Sequence, residues 1–182
     1  MKSVSFVLLF FMSLICKAND LPMFCLAGPI DSLCVVMDDA GLEWQNEYTF
    51  DSDGSLIEID GDEVDCERDS AGRISSITLI EATEDDEDTY TTIKMRLLYD
   101  KSGRVVRVEA VSGDEQWVQT YAYDSSGHLT EQCYNMNGVE EVRTYTYLKH
   151  DRFGNWTERL EKLKSMDQTI RQCRNIIYLE YP

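Results

Sequence analysis

The sequence feature that most limits the fold is an Asp followed three residues later by Gly and five residues later by an apolar residue. The pattern occurs five times, in 48–56, 66–74, 97–105, 121–129 and 148–156. Its Asp and Gly pairs are Asp51 and Gly54, Asp69 and Gly72, Asp100 and Gly103, Asp124 and Gly127, and Asp151 and Gly154. Asp can hydrogen-bond the turn backbone two residues on, and Gly takes the positive φ at the end of the turn. Each copy therefore predicts the turn of a β-hairpin.

The stretches between these turns have the alternation of strands. In 89–99, for example, Thr91, Ile93, Met95, Leu97 and Tyr99 share one face, which is the period of two that a half-buried strand requires. Short links place consecutive strands side by side. The expected fold class is all-β: an antiparallel meander of repeated β-hairpins, with about 10–12 strands in one curled or partly closed sheet.

Two stretches fit this scheme less well. Residues 19–28 are expected to be a tail or lead-in, because Pro22 prevents regular strand pairing there. Residues 156–166 could form a helix, since Trp156, Leu160 and Leu163 have helical spacing. The repeat favours a strand over the helix.

The first 18 residues have the pattern of a secretory signal peptide. Lys2 is a basic start, 4–15 form an apolar run, and 16–18 offer a small-x-small cleavage site. The run is too short to span a membrane comfortably. We therefore expect residues 1–18 to be a signal peptide and residues 19–182 to be one secreted or periplasmic domain. A lipoprotein anchored through Cys16 is the less favoured alternative, because Ile15 stands where a small residue is required.

The charge of the chain excludes some classes of partner. The sequence has 17 basic and 34 acidic residues and a formal net charge of −17, which repels nucleic acid and anionic membranes. Solubility of a sheet-rich chain accounts for the acidity. We expect the acidic runs 60–65 and 84–88 to be solvated loops between strands.

Five cysteines follow the signal peptide: Cys25, Cys34, Cys66, Cys133 and Cys173. An odd number in an exported chain implies a free thiol or an intermolecular pair. Cys25 and Cys34 flank a Gly-Pro turn signal and are the pair most easily bridged, but all five could be small buried side chains. No Cys-x-x-Cys and no Cys/His ligand spacing occurs, and we expect no cofactor.

The pattern Tyr-x-Tyr-Asp-x-x-Gly-x-Leu at 121–129 resembles the YD repeat of RHS-type proteins, and the other four copies are similar to degenerate forms of it. The closing Asp151-Arg152-Phe153-Gly154-Asn155-Trp156-Thr157 resembles the end of short exported YD-repeat proteins of Bacteroidetes-type bacteria. The opening 26–33 is similar to the usual start of those proteins. The resemblance covers nearly all of 19–182 and implies a meandering sheet of repeated hairpins, without implying a particular activity.

The residues that could carry chemistry favour a non-catalytic protein. The two histidines, His128 and His150, sit at repeat turns, where a role in the turn is favoured over catalysis. Acidic residues are so abundant that no pair stands out as a glycosidase dyad. A calcium loop at 51–54 or 60–63 lacks the Glu that a twelve-residue loop requires. We therefore expect no enzyme, no catalytic residue and no metal site.

Two functions stay open. The first is an interaction or structural module that binds a protein partner, through the curled sheet or its edges, at the cell envelope. The second is a carbohydrate-binding module that uses exposed aromatic residues; its weak candidates are Trp44, Trp117, Trp156, Tyr121 and Tyr145. The alternative for these aromatics is the hydrophobic core. Open sheet edges also make a homo-oligomer possible.

Overall fold

The computed structural model describes residues 20–39, 42–83 and 86–179, and the fold in these ranges is all-β. A short 3₁₀ helix, Leu21–Phe24, precedes thirteen strands. The strands are β1 (Ile30–Asp39), β2 (Leu42–Phe50), β3 (Leu56–Ile59), β4 (Asp62–Glu63), β5 (Asp65–Arg68), β6 (Ile74–Thr83), β7 (Asp86–Tyr99), β8 (Val105–Ser112), β9 (Glu115–Tyr123), β10 (Leu129–Met136), β11 (Val139–His150), β12 (Trp156–Leu163) and β13 (Gln168–Tyr178). They form one antiparallel sheet, which confirms the predicted fold class.

The predicted signal peptide, residues 1–18, and the residues 84–85 of one acidic run lie outside the described residues. Within the described ranges there is no helix of the length and apolarity that a membrane crossing needs. Residues 156–163 form a strand, as the repeat predicts, and not the competing helix.

Sequential strands pair with one another around the sheet, and the two ends of the chain pair as well. β1 lies between β2 and β13, with Leu33 opposite Ile176 and Val35 opposite Arg174 in the β13 register. The order across the sheet is therefore β4, β3, β2, β1 and then β13 down to β5. Pairing of the first and last long strands turns an open meander into a ring, and β4 and β5 are its two edges among the described strands.

Those two edges are nearly joined by the chain itself. Val64 is the single residue between β4 and β5, and its amide donates to the carbonyl oxygen of Ile57 at 3.0 Å. Residues 62–64 thus bond to the β3 side, while β5 pairs with β6. One continuous segment lies across the seam, and the sheet is nearly closed and barrel-like.

This seam corrects the expectation that the acidic run 60–65 is only a loop. Asp62, Glu63 and Asp65 belong to β4 and β5, and their side chains are exposed. Charge is tolerated there because the backbone forms the pairing while the side chains face water. The second acidic run also enters a strand, since β7 begins at Asp86.

All five predicted turns are present and share one hydrogen-bond pattern. In the turn at Asp100, Oδ1 accepts from the amides of Ser102 at 2.8 Å and Arg104 at 3.0 Å, and the Gly103 amide donates to the Asp100 carbonyl oxygen at 3.1 Å. Hydrogen bonds from the Arg104 backbone and guanidinium hold the pKa of Asp100 below its ordinary value. The other four Asp residues accept from the amides two and four residues on. These turns are every second reversal of the meander, so they lie together at one end of the sheet.

A β-bulge follows every one of these turns at the same place. The register skips one residue on the second strand of each hairpin, six positions after the Asp. The skipped residues are Ile57, Ser75, Val106, Thr130 and Thr157. A bulge breaks strict alternation, so the residues five and eight positions after each Asp both face the inside of the sheet.

The segment before β1 is buried, which corrects the expectation of a tail at 19–28. Leu21 is 5% exposed and Leu26 is 6% exposed, and both belong to the main hydrophobic core. Met23 and Phe24 pack against the same core. We call residues 20–28 the plug, because they fill the end of the sheet where the repeat turns lie. Pro22 excludes strand pairing, but a short 3₁₀ helix accommodates it.

The turn glycines make a direct test of the repeat. Gly103 has a φ of +81° and nothing within 4 Å of the position that a Cβ would occupy, so Gly103→Ala adds backbone strain without a clash. We expect G103A to lower the free energy of unfolding by about 1–2 kcal/mol in urea denaturation. Ser102→Ala, an exposed position in the same turn, is the control and should change it by less than about 0.5 kcal/mol. Equal stability of the two variants would contradict the requirement for a left-handed residue here.

Candidate functional site

The nearly closed sheet surrounds a cavity of about 530 Å³, which we call the lumen. It begins at Phe24 and Cys25 of the plug and extends to Met37 and Asp60, toward the other end of the sheet. Small-molecule sites in proteins usually have volumes of about 300–1,000 Å³. The lumen is therefore large enough for a ligand.

The wall of the lumen divides into two halves. Strands β1, β3 and β6 to β8 supply an apolar half, with Val35, Met37, Ile59, Ile77, Leu79, Met95, Leu97, Val105 and Val108. Strands β9, β10, β12 and β13 supply most polar groups, namely Gln119, Tyr121, Tyr123, Gln132, Arg159, Gln172 and Arg174. Between β1 and β3, β2 adds the polar side chains of Asn46 and Tyr48. The unbroken apolar surface is that of β6 to β8, and the polar groups of β9 to β13 lie beside it around the ring, so the lumen is amphipathic across its width.

The repeated bulge decides which side chains line this wall. The residues eight positions after the five Asp residues are Ile59, Ile77, Val108, Gln132 and Arg159, and all five line the lumen. Without the bulge, strict alternation would turn position eight to the outer face. The same backbone device thus places apolar side chains in the first three repeats and polar ones in the last two.

The plug is held to the first two repeat turns by a buried carboxylate. Asp20 is 3% exposed, and its two carboxylate oxygens accept from Nη1 and Nη2 of Arg68 at 2.9 Å each. The Leu56 amide donates to the same carboxylate at 2.9 Å, and the Asp20 amide donates to the Gly54 carbonyl oxygen. A bidentate Arg pair with an added amide donor fixes both position and orientation.

A buried amide holds the other end of the plug to the last repeat turn. Asn155 is 2% exposed; its Oδ1 accepts from the Ala27 amide at 2.7 Å and its Nδ2 donates to the Ala27 carbonyl oxygen at 2.8 Å. Nδ2 also lies 2.9 Å from the hydroxyl of Tyr178, which in turn donates to Asp151. Gly28 follows directly, where a Cβ would lie 3.3 Å from the Phe153 ring.

Two guanidinium groups stack on one indole at the inner end of the lumen. The guanidinium carbons of Arg159 and Arg174 lie 4.1 Å and 3.8 Å from the centroid of the Trp156 ring. Nη2 of Arg174 donates to the Phe24 carbonyl oxygen of the plug at 2.8 Å. Its Nε and Nη1 are buried and donate to no atom of the described chain. Cation–π contact is favourable but does not replace hydrogen bonds.

The positive charges of Arg159 and Arg174 repel each other, and burial destabilises the charge of Arg174 further. Burial lowers the pKa of Arg174 to about 9, and the charge of Arg159 acts in the same direction. Arg174 is still protonated at neutral pH. Neither guanidinium pairs with a carboxylate among the residues that the structure describes; Arg159 donates instead to the amide oxygen of Gln172 at 2.6 Å.

A buried carboxylate on the same strand as Arg159 is already engaged in other hydrogen bonds. Glu161 is 3% exposed and accepts from Arg143 Nη1 at 3.1 Å and from Gln172 Nε2 at 2.6 Å. Gln172 thus connects Glu161 and Arg159 through hydrogen bonds, and the positive charge of Arg159 is not neutralised by a direct ion pair with Glu161. Nearby, the Tyr145 hydroxyl donates to Gln132 at 2.6 Å, and burial raises the pKa of Tyr145 above its ordinary value.

The five aromatic candidates have different positions. Trp156 is 2% exposed and lines the inner end of the lumen. Tyr121 also lines the lumen, and Tyr145 packs under the Arg159 guanidinium at 4.1 Å. Trp117 is half-buried on β9, paired with Ala110 and Met136. The side chain of Trp44 lies outside the described residues.

The histidines and Asp51 belong to the repeat turns, and Asp60 belongs to the β3–β4 hairpin at the other end of the sheet. His128 Nδ1 lies 3.5 Å from the Asp124 carboxylate of its own turn, and the His128 ring centre lies 5.4 Å from that of His150, with the two rings tilted at 52°. Asp51 Oδ1 accepts two turn amides, and Asp60 accepts from the Glu47 amide. In the described ranges no group of three His, Cys, Asp or Glu side chains could hold a metal ion.

The five cysteines of the described chain are all free thiols. Cys25 and Cys34, the pair most easily bridged by sequence, are not joined. Cys25 lines the lumen, and burial raises the pKa of its thiol. Cys34 lies on β1 opposite Asn175, between Leu33 and Val35, and so faces the outside of the sheet.

No protein-family model matches the chain, and no curated protein matches it in sequence. The resemblance to YD-repeat proteins stays a prediction that depends on the five turn motifs. The lumen is thus characterised by its own geometry alone. Sequence reasoning missed Arg159, Arg174 and the two glutamines, Gln132 and Gln172. Position eight of the repeat is the signal that could have found Arg159 and Gln132.

The hydrogen bonds of Asn155 allow a test of how the plug is held. Asn155→Ala removes a buried side chain together with its hydrogen bonds to the Ala27 amide and carbonyl, and we expect it to lower the free energy of unfolding by about 2–4 kcal/mol. Asn175→Ala, at an exposed position on β13, is the matched control and should stay within about 0.5 kcal/mol of wild type. If urea denaturation gave the same midpoint for both variants, Asn155 would not anchor the plug.

Proposed function

We propose that the protein is a non-catalytic, exported binding module that holds a small molecule in the lumen. The observation that carries this proposal is the partly open cavity of about 530 Å³ inside the sheet, with apolar side chains on one side and most of the polar groups on the other. Export depends on the predicted signal peptide, residues 1–18. The absence of catalysis is part of the proposal, since both histidines lie at the repeat turns.

The strand number supports a ligand in the lumen. About eight strands enclose a space that side chains can fill, and more strands leave room inside. The described residues form thirteen strands of this sheet, although β4 and β5 share one extended segment. The plug fills only the end that carries the turns, so space is left over the middle layers of the ring.

The polar half supports a specific ligand. Gln119, Gln132 and Arg159 line the lumen together with the apolar side chains of the other half. Binding sites typically combine a mostly apolar wall with a few placed polar groups that orient the ligand. Without a ligand to bind, polar side chains inside the sheet would make the fold less stable than apolar side chains at the same positions.

A carbohydrate ligand is the second candidate, and Tyr121 is the observation that favours it. Its ring lines the lumen and its hydroxyl donates to Gln119 at 2.5 Å, so an aromatic face and an amide lie together. A protein partner bound on the outside is the third outcome. Such a partner would find little free sheet edge to pair with, because the edge strands β4 and β5 have two and four residues.

A pair of neighbouring residues on β6 tests where binding occurs. Leu79 lines the lumen, whereas Ile80 points outward and is 67% exposed. Leu79→Trp should fill part of the lumen and weaken binding of the neutral apolar fluorophore N-phenyl-1-naphthylamine by about tenfold or more. Ile80→Trp adds the same ring outside and should leave binding unchanged. Circular dichroism checks that both variants fold.

The outcomes separate the candidates. Equal fluorophore binding by the two variants would contradict a site in the lumen. Binding of neutral oligosaccharides that is lost in L79W would favour the carbohydrate ligand, and a stoichiometric protein partner retained by L79W would favour the outer surface.

A further inference from the structure

We propose that the ligand of the lumen is a single-chain amphipathic carboxylate of the fatty-acid class. Its carboxylate binds at Arg159 and Arg174, beside the plug, and its chain lies along the apolar half of the lumen. This inference rests on the proposed function, because it names the ligand class of the same cavity.

The charge balance of the lumen is opposite to that of the chain. Acidic residues outnumber basic ones by 34 to 17 in the sequence, yet the described residues that line the lumen include two arginines and one carboxylate, Asp60. Asp60 is tied to the Glu47 amide at 2.6 Å and to Asn46 Nδ2 at 3.0 Å. The inner end therefore carries two cations without a counter-ion from the described chain. Charges in a poorly solvated site are stable when they are paired.

The unused donors of Arg174 point to the same ligand chemistry. Nε and Nη1 are buried without a hydrogen-bond acceptor, and buried unsatisfied groups of this kind are rare enough to need an explanation. A guanidinium presents parallel donors that match the two oxygens of a carboxylate. In the bound state the guanidinium turns from its contact with Trp156 toward the lumen, where Arg159 supplies a second charge.

The remaining wall suits an aliphatic chain better than a second polar group. Ile77, Leu79, Met95 and Val108 come from three adjacent strands, and Val35 and Met37 of β1 add apolar surface on the far side of β2. Methionine side chains adapt to chains of different shape. A ligand that is polar throughout would leave this surface without apolar contacts, so one charged end and one apolar tail fit best.

The test compares decanoate with 1-decanol as displacers of N-phenyl-1-naphthylamine at pH 7.4. The two share one chain length and differ in charge. We expect wild type to bind decanoate at least about tenfold more tightly than 1-decanol, which is the range of a charge-assisted hydrogen bond. Binding of decanoate should also change the fluorescence of Trp156, measured in a W44F/W117F background.

Variants assign the preference to the two arginines. Arg174→Gln and Arg159→Gln should each reduce the preference for decanoate about tenfold while 1-decanol binding is kept, and Arg174→Lys should restore part of it. Arg171→Gln is the control, because Arg171 lies on the same strand but pairs with Glu158 at 2.8 Å and is 54% exposed. It should behave as wild type.

Equal displacement by decanoate and 1-decanol in wild type would overturn the inference, even if no variant folded. Survival of the preference in both R174Q and R159Q would also overturn it. Either result would leave the lumen as a binding site, whereas a fluorophore that fails to bind, or binds L79W and I80W equally, would remove the proposed function itself.

Discussion

The fold depends on one interaction that is repeated five times, the hydrogen bonds from two turn amides to an aspartate side chain. In the turn at Asp124, Oδ1 accepts from the amides of Ser126 at 2.8 Å and His128 at 2.9 Å. Because the acceptor is part of the turn, each hairpin reverses at a set residue and the register of the two strands follows. All five reversals then fall at the same end of the sheet, where the plug can cover them.

The bulge after each turn decides which residues of the repeat line the lumen. It directs the residues five and eight positions after the Asp into the sheet, so Leu129 is buried and Gln132 lines the lumen. The turn keeps its Asp and Gly in every copy, while position eight is free to vary. In this way a structural repeat provides the scaffold, and the degeneracy of its copies provides an amphipathic interior.

The turns and most strands could be predicted from the sequence because their signals are local. An Asp and a Gly three residues apart report a backbone reversal without knowledge of the rest of the chain. The seam and the plug could not be predicted in this way. Val64 joins two strands whose partners lie on opposite sides of it, and the burial of Asp20 requires Arg68, a residue 48 positions away.

The lumen could not be predicted from local sequence signals either. Strict alternation along 156–163 places Trp156 and Arg159 on opposite faces, and only the bulge at Thr157 brings both inside. No Gly or Pro marks these bulges. Composition points to the aromatic candidates, and two of them, Trp156 and Tyr121, line the lumen. Of the two arginines, Arg159 stands at position eight of its repeat, whereas Arg174 lies outside the repeats and has no local signal.

A crystal structure of the protein with 10-bromodecanoate tests the central claim most directly, because the anomalous signal of bromine locates the chain end without bias from the protein coordinates. The account predicts one bromine peak inside the sheet, against the apolar half near Met37 or Leu79, with the carboxylate at Arg159 and Arg174. A bromine peak on the outer face, or a sheet whose β1 and β13 are unpaired so that no lumen exists, would contradict it.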